Sequence, residues 1–200
     1  MCFSATASLI AGGTLSAVGG VTISKVKSKR EVPLASIPLL FGIQQLIEGV
    51  VWLSFGNSAL NVIATYAYLL FAYILWPTLV PVAVMLIEPN LARKNILKLF
   101  SFVGVTVSMY LLYFIIIEPS KAHIVNGSIA YDFRHIYNLV YLVPYIVVTT
   151  CSGLISSHKI INMLGIAVAL SFFIAFWFYR INFISVWCFF AAILSFIIFL

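Results

Sequence analysis

Charge is scarce in this 200-residue chain: only 8% of its residues are Asp, Glu, Lys or Arg. A soluble domain of this size carries about 25% charged residues, so a water-soluble globular fold is excluded. With 64% hydrophobic residues and a mean hydropathy of +1.16, the composition is that of a membrane protein. Motifs for metal or nucleophile chemistry are missing too. The three cysteines show no CxxC spacing, and the three histidines form neither HxxxH nor HExxH. A zinc hydrolase of the seven-helix kind therefore lacks its usual ligands. No lysine lies inside an apolar stretch, so a retinal Schiff base has no attachment point. A basic segment ahead of the first apolar run is also missing, and that run reads as a first span instead of a cleaved signal peptide.

What is present is a series of long apolar runs. A bilayer core of roughly 30 Å needs about 20 apolar residues per helix. Seven stretches qualify: 5–24, 33–55, 60–87, 96–117, 136–156, 160–179 and 182–200. The chain is thus expected to be an all-α integral membrane protein, residues 1–200 forming one bundle of seven transmembrane helices. Lys25, Lys27, Lys29, Arg30, Arg93, Lys94, Lys98 and Lys159 fall at one side, and Lys121, Arg134 and Arg180 at the other. The side rich in Lys and Arg is cytoplasmic by the positive-inside rule, which predicts an outside N-terminus and a cytoplasmic C-terminus. The same clustering in short loops makes the +6 formal charge a sign of orientation, with no nucleic acid as partner.

Within the spans, Ser8, Gly12, Ser16 and Gly20 recur every fourth residue, a stripe over which a neighbouring backbone can approach closely. Ile87-Glu88-Pro89 and Ile117-Glu118-Pro119 repeat a tripeptide, which reads as two helix ends, since proline cannot continue a helix. Trp76-Pro77 and Pro81 sit near mid-membrane and predict a bent third span. Asn126-Gly127-Ser128 fits a glycosylation sequon, relevant only in a secretory eukaryotic setting.

Glu48 is the one charged residue well inside a span. An ionised carboxylate facing lipid costs several kcal/mol, so Glu48 should face the bundle interior, pair with a cation or carry a proton. Gln44, Gln45 and Glu48 fall within an arc of about 100° on a helix, with Phe41 and Trp52 on the same side. Asn138, Tyr141 and Tyr145 form a further polar stripe on span five, and Ser185 and Cys188 lie on span seven. Together they are expected to enclose a polar cavity open to the outer side and centred on Glu48. Glu48, Gln44, Gln45, Trp52, Asn138, Tyr141, Tyr145 and Ser185 are its candidate ligand-binding residues. Arg134 and Arg180 start from outer helix ends, from which either could fold in to pair with Glu48. The bland alternatives are interhelical hydrogen bonding as glue and an interfacial aromatic belt.

The segments MCFSATAS, IPLLFGIQQLIEGVVWL and SVWCFFAA resemble a family of small multispanning membrane proteins, mostly bacterial, of unknown function. The resemblance runs over essentially the whole chain. It implies a prokaryotic inner-membrane location and carries no catalytic residues with it. Three functional readings follow. The first is a transporter-, channel- or receptor-like protein in which Glu48 binds a proton, cation or small molecule, with Pro77 and Pro81 permitting movement. The second is a membrane-embedded enzyme using Cys2 or Cys188 as nucleophile or metal ligand, with Glu48 or His135 as base. The third is an assembly partner without chemistry. The lipid bilayer is a partner in all three.

Overall fold

The computed structural model describes residues 4–199, the side chains of Arg134 and Ile136 excepted. Helix starts carry local signals. Ser4 caps α1 (Ala5–Ser24), accepting from the Ala7 N–H. The side chains of Asn57, Asn90 and Asn138 likewise cap α4 (Ser58–Leu69), α6 (Leu91–Ile117) and α7 (Leu139–Ile146), the role for which a short polar side chain suits an N-terminus. The remaining helices are α2 (Val32–Ala35), α3 (Ile37–Leu53), α5 (Trp76–Ile87), α8 (Ser152–Ile155), α9 (Lys159–Phe178) and α10 (Phe183–Leu194). Both Glu-Pro pairs mark helix ends: α5 stops at Ile87 and α6 at Ile117.

Five helical stretches are long and apolar enough to cross a membrane: Ala5–Ser24, Val32–Leu53, Ser58–Ile87, Leu91–Ile117 and Lys159–Phe178. The other two of the expected seven, Leu139–Ile155 and Phe183–Phe199, are apolar but shorter. Seventeen α-helical residues cover about 25 Å, less than a bilayer core of roughly 30 Å.

The widest helix contact is α1 on α3. A Cβ on Gly12 would lie 2.9 Å from the Gly42 carbonyl oxygen, and one on Gly42 would lie 2.6 Å from the Ser16 nitrogen. Gly19 meets the Leu39 backbone in the same way. The expected stripe holds for Ser8, Gly12 and Ser16 and fails at Gly20, which is exposed and touches nothing. A strict four-residue repeat advances about 40° per step around the helix and leaves the interface. The buried set is Ser8, Gly12, Leu15, Gly19 and Thr22, spaced alternately by four and three, which keeps one face toward the partner.

Two helices loosen near their prolines. A π-helical turn, Leu70–Leu75, joins α4 to α5, and another, Val147–Cys151, joins α7 to α8. The Trp76 N–H donates to the Phe71 carbonyl, five residues back. Continuing that ladder would require Pro77 to donate to Ala72, and proline has no N–H. The Tyr145 hydroxyl donates to the Ala72 carbonyl instead, at 2.5 Å. Thr149 and Thr150 donate back to the carbonyls of Tyr145 and Ile146, closing the second widened turn.

The all-α expectation needs correction. Strands β1 (Ala122–Val125) and β2 (Ser128–Tyr131) form an antiparallel hairpin, with Ala122 opposite Tyr131 and Val125 opposite Ser128. Asn126 and Gly127 both take positive φ, 51° and 75°, as a tight two-residue hairpin turn requires. The would-be sequon is this turn. β2 is buried along its whole length. Tyr131 stacks on Tyr68 at 4.4 Å and Phe133 leans on Tyr73, so the hairpin folds onto its end of the bundle. Asn182, which precedes α10, donates to the Val125 carbonyl and to Ser128 Oγ, tying the hairpin down.

Candidate functional site

α3 turns Gln44, Gln45 and Glu48 inward, and all three are 0% exposed. The Trp76 indole N–H donates to Gln44 Oε1 at 2.7 Å, while the Trp76 ring stacks on Phe41. An indole at mid-span needs an acceptor, since the bilayer supplies none. Ser185 of α10 donates to Glu48 Oε1 at 2.5 Å. Gln45 and Tyr68 flank the same carboxyl group. Cys188, one turn after Ser185, adjoins Gln44, Glu48 and Tyr68. Three helices thus converge on one carboxyl.

The centre is rich in buried polar atoms. Among the described residues, Glu48 Oε2, Gln44 Nε2 and both amide atoms of Gln45 make no hydrogen bond of good geometry, although Gln45 lies beside the Glu48 carboxyl and Gln44 beside the Cys188 thiol. Each such buried atom costs about 1–3 kcal/mol if left unmet. No described cation forms an ion pair with Glu48; the ion pairs seen are His123 with Asp132 and His135 with Glu118. Glu48 therefore sits among neutral described partners.

Of the predicted residues, the structure brings together Glu48, Gln44, Gln45, Ser185 and Cys188. It does not bring the others. Trp52 lies a turn beyond Glu48, its ring against Phe55. Asn138 serves as a helix cap, and Tyr141 stacks on Tyr110. Tyr145 is spent on the Ala72 carbonyl. His135 pairs with Glu118 at 2.8 Å and stacks on Phe114, away from the carboxyl it was expected to assist. Arg180 lines a surface pocket with His123, Asp132 and Tyr137 and does not reach Glu48. Cys2 and the Arg134 side chain lie outside the described residues. Tyr68 and Trp76 join the site without having been expected there. Trp76 alone carries a signal in the sequence, an indole N–H in the middle of an apolar span.

The expected cavity also differs. Glu48 has no exposed surface, and Tyr131 of the hairpin stacks on Tyr68 beside it. A small cleft of about 80 Å³ lies between α3, α5, α9 and α10, and Glu48 does not line it. Phe41, Trp76 and Cys188, which border the polar centre, line it as well. Among the described residues, no three His, Cys, Asp or Glu side chains converge as metal ligands would.

At the basic end, Glu88 accepts from the Ser157 N–H at 2.8 Å, from Ser157 Oγ at 2.5 Å and from the Asn90 N–H at 3.1 Å. Burial alone would raise this carboxyl, but those bonds and nearby Arg93 outweigh it and hold it below the usual carboxylate range.

No curated protein and no solved structure matches this chain. Its sequence, from the first residue to the last, matches a family of unknown function: over residues 1–200 the chain belongs to DUF6629.

Proposed function

We propose that this protein is a seven-span membrane protein, hairpin end outside and basic end cytoplasmic, that takes up a proton or a small cation at Glu48. The observation that supports this is the buried cluster itself: a carboxyl and two amides with unmet polar atoms, and no described cation to balance the charge. A buried carboxylate without a counter-charge is too costly to persist, and on this reading the site is kept neutral by a proton or a bound cation. Gln45, beside the carboxyl, can offer an oxygen to a cation and an N–H to a carboxylate oxygen. A third glutamine at position 48 would serve equally as interhelical glue, and glutamate adds only the capacity to change charge.

The test is Glu48→Gln, with thermal unfolding in detergent followed across pH and across sodium, potassium, magnesium and calcium. The wild-type midpoint should shift with pH or with one of these cations, and E48Q should lose that shift while remaining folded and monodisperse. A mutant whose midpoint follows pH and cations as the wild type does would reduce Glu48 to packing.

A further inference from the structure

We infer that the surface pocket at the hairpin end is the entrance to the Glu48 site, and that Tyr131 is its gate; this rests on Glu48 taking up a proton or a small cation.

A carboxyl with no exposed surface exchanges with water only past the side chains around it. Tyr68 flanks Glu48 and is itself 0% exposed. Its ring lies nearly parallel to that of Tyr131, with 4.4 Å between centroids. Tyr131 in turn lines a pocket of about 370 Å³, together with His123, Asp132, Phe133, Tyr137 and Arg180. Pocket, Tyr131, Tyr68 and carboxyl thus follow one another in contact. The cleft between α3, α5, α9 and α10 offers no equal path. It holds about 80 Å³, and neither Tyr68 nor Glu48 is among its walls.

The surroundings of the pair single out Tyr131 as the ring that moves. Tyr68 stands within α4, enclosed on every side. Tyr131 ends β2 and has the pocket beside it. The backbone around it is fastened. Asn182 donates to the Val125 carbonyl and to Ser128 Oγ near the hairpin turn, and the Asp132 N–H donates to the Lys121 carbonyl at the base. The far wall is held as well, by the Tyr137 hydroxyl donating to the Ile181 carbonyl at 2.9 Å. Opening is therefore a rotation of the Tyr131 side chain between staggered positions, from Tyr68 into the pocket, with the hairpin in place. The charge met on the way in is set by Arg180. Asp132 is matched by His123 at 3.4 Å, whereas Arg180 makes no ion pair among the described residues.

Thiol accessibility in lipid nanodiscs reads the route. The reporter is Glu48→Cys in protein whose three native cysteines are replaced by serine. It is reacted with a cationic or an anionic methanethiosulfonate of similar size, and the unreacted fraction is counted after denaturation. Reaction should be slow with Tyr131 or Tyr131→Phe, and faster by about tenfold or more with Tyr131→Ala. Arg180→Glu should raise the ratio of cationic to anionic rates by about threefold at low salt. If Glu48→Cys does not fold, native Cys188, which adjoins Glu48 and Tyr68, is the reporter in the same design. A folded Tyr131→Ala protein that reacts no faster, or a ratio that Arg180→Glu leaves unmoved, would overturn the inference. The second result is decisive even if Tyr131→Ala does not fold, because Arg180 is exposed and a merely loosened structure admits either charge alike. Labelling at position 48 is independent of what Glu48 binds, so the entrance can fail while the pH or cation response of Glu48 stands, and the reverse.

Discussion

Glu88 and Glu118 occupy the same place in the same tripeptide, yet they do different work. Glu88 is buried and fastens the end of α5 to the α8–α9 turn through Ser157, while Glu118 is half-exposed and meets His135. Removing the first should cost more. Glu88→Ala should destabilise the protein by about 1–3 kcal/mol at neutral pH, as expected for stranding buried partners of a charged group. Because the folded carboxyl is held below its unfolded value, its contribution is present above the ordinary glutamate range and is lost as pH falls through the lowered folded value. The gap between wild-type and Glu88→Ala unfolding midpoints in detergent should therefore be full at pH 7 and close only in acid, below about pH 4. A gap that persists unchanged there would remove the carboxylate from the account.

The two π-helical turns act as a pair, one supplying the orphan carbonyl and the helix leading into the other supplying the hydroxyl that meets it. Tyr145→Phe should cost about 1–3 kcal/mol by stranding the Ala72 carbonyl. In a Pro77→Ala background the same change should cost less, because residue 77 then has an N–H to offer. A double-mutant cycle of unfolding free energies checks this, and strict additivity would sink it. The α1–α3 contact is a second element-scale dependence. Gly42→Val puts side-chain atoms where Ser16 and the Gly12 carbonyl already stand, so it should separate the two helices and abolish a monodisperse elution profile. Gly20→Val, on the exposed flank of α1, should leave that profile unchanged.

For the whole molecule, the proposed orientation rests on the charge asymmetry and can be read by labelling. In a cysteine-free background, Lys121→Cys at the exposed base of the hairpin should react with a membrane-impermeant maleimide in intact cells. Ser28→Cys in the basic loop should react only after lysis. The reverse pattern would invert the topology. Ser120, adjacent in sequence, is a poor reporter because it is buried.

The medium, the helical segments and the inward glutamate were legible in the sequence, because each follows from local composition or from the cost of charge in hydrocarbon. Seven apolar runs became seven helical stretches, with two too short to count as spans by length alone. Gln44, Gln45 and Glu48 had to share a face because helical geometry depends only on spacing. The hairpin has a local signal too, an Asn-Gly pair flanked by apolar residues, but the same residues fit a sequon, and strands of four residues are too short to show a period. What only the tertiary structure decided is which distant residues meet. Nothing local in Ser185 selects Glu48, 137 positions away, and nothing in Asn138 or Tyr141 forbids their joining it. Packing made that choice: α1 lies flush on the glycines of α3, and α10 comes in over Glu48. The hairpin covers one end of the bundle and Tyr131 stacks on Tyr68, so the carboxyl expected to line a cavity is sealed instead.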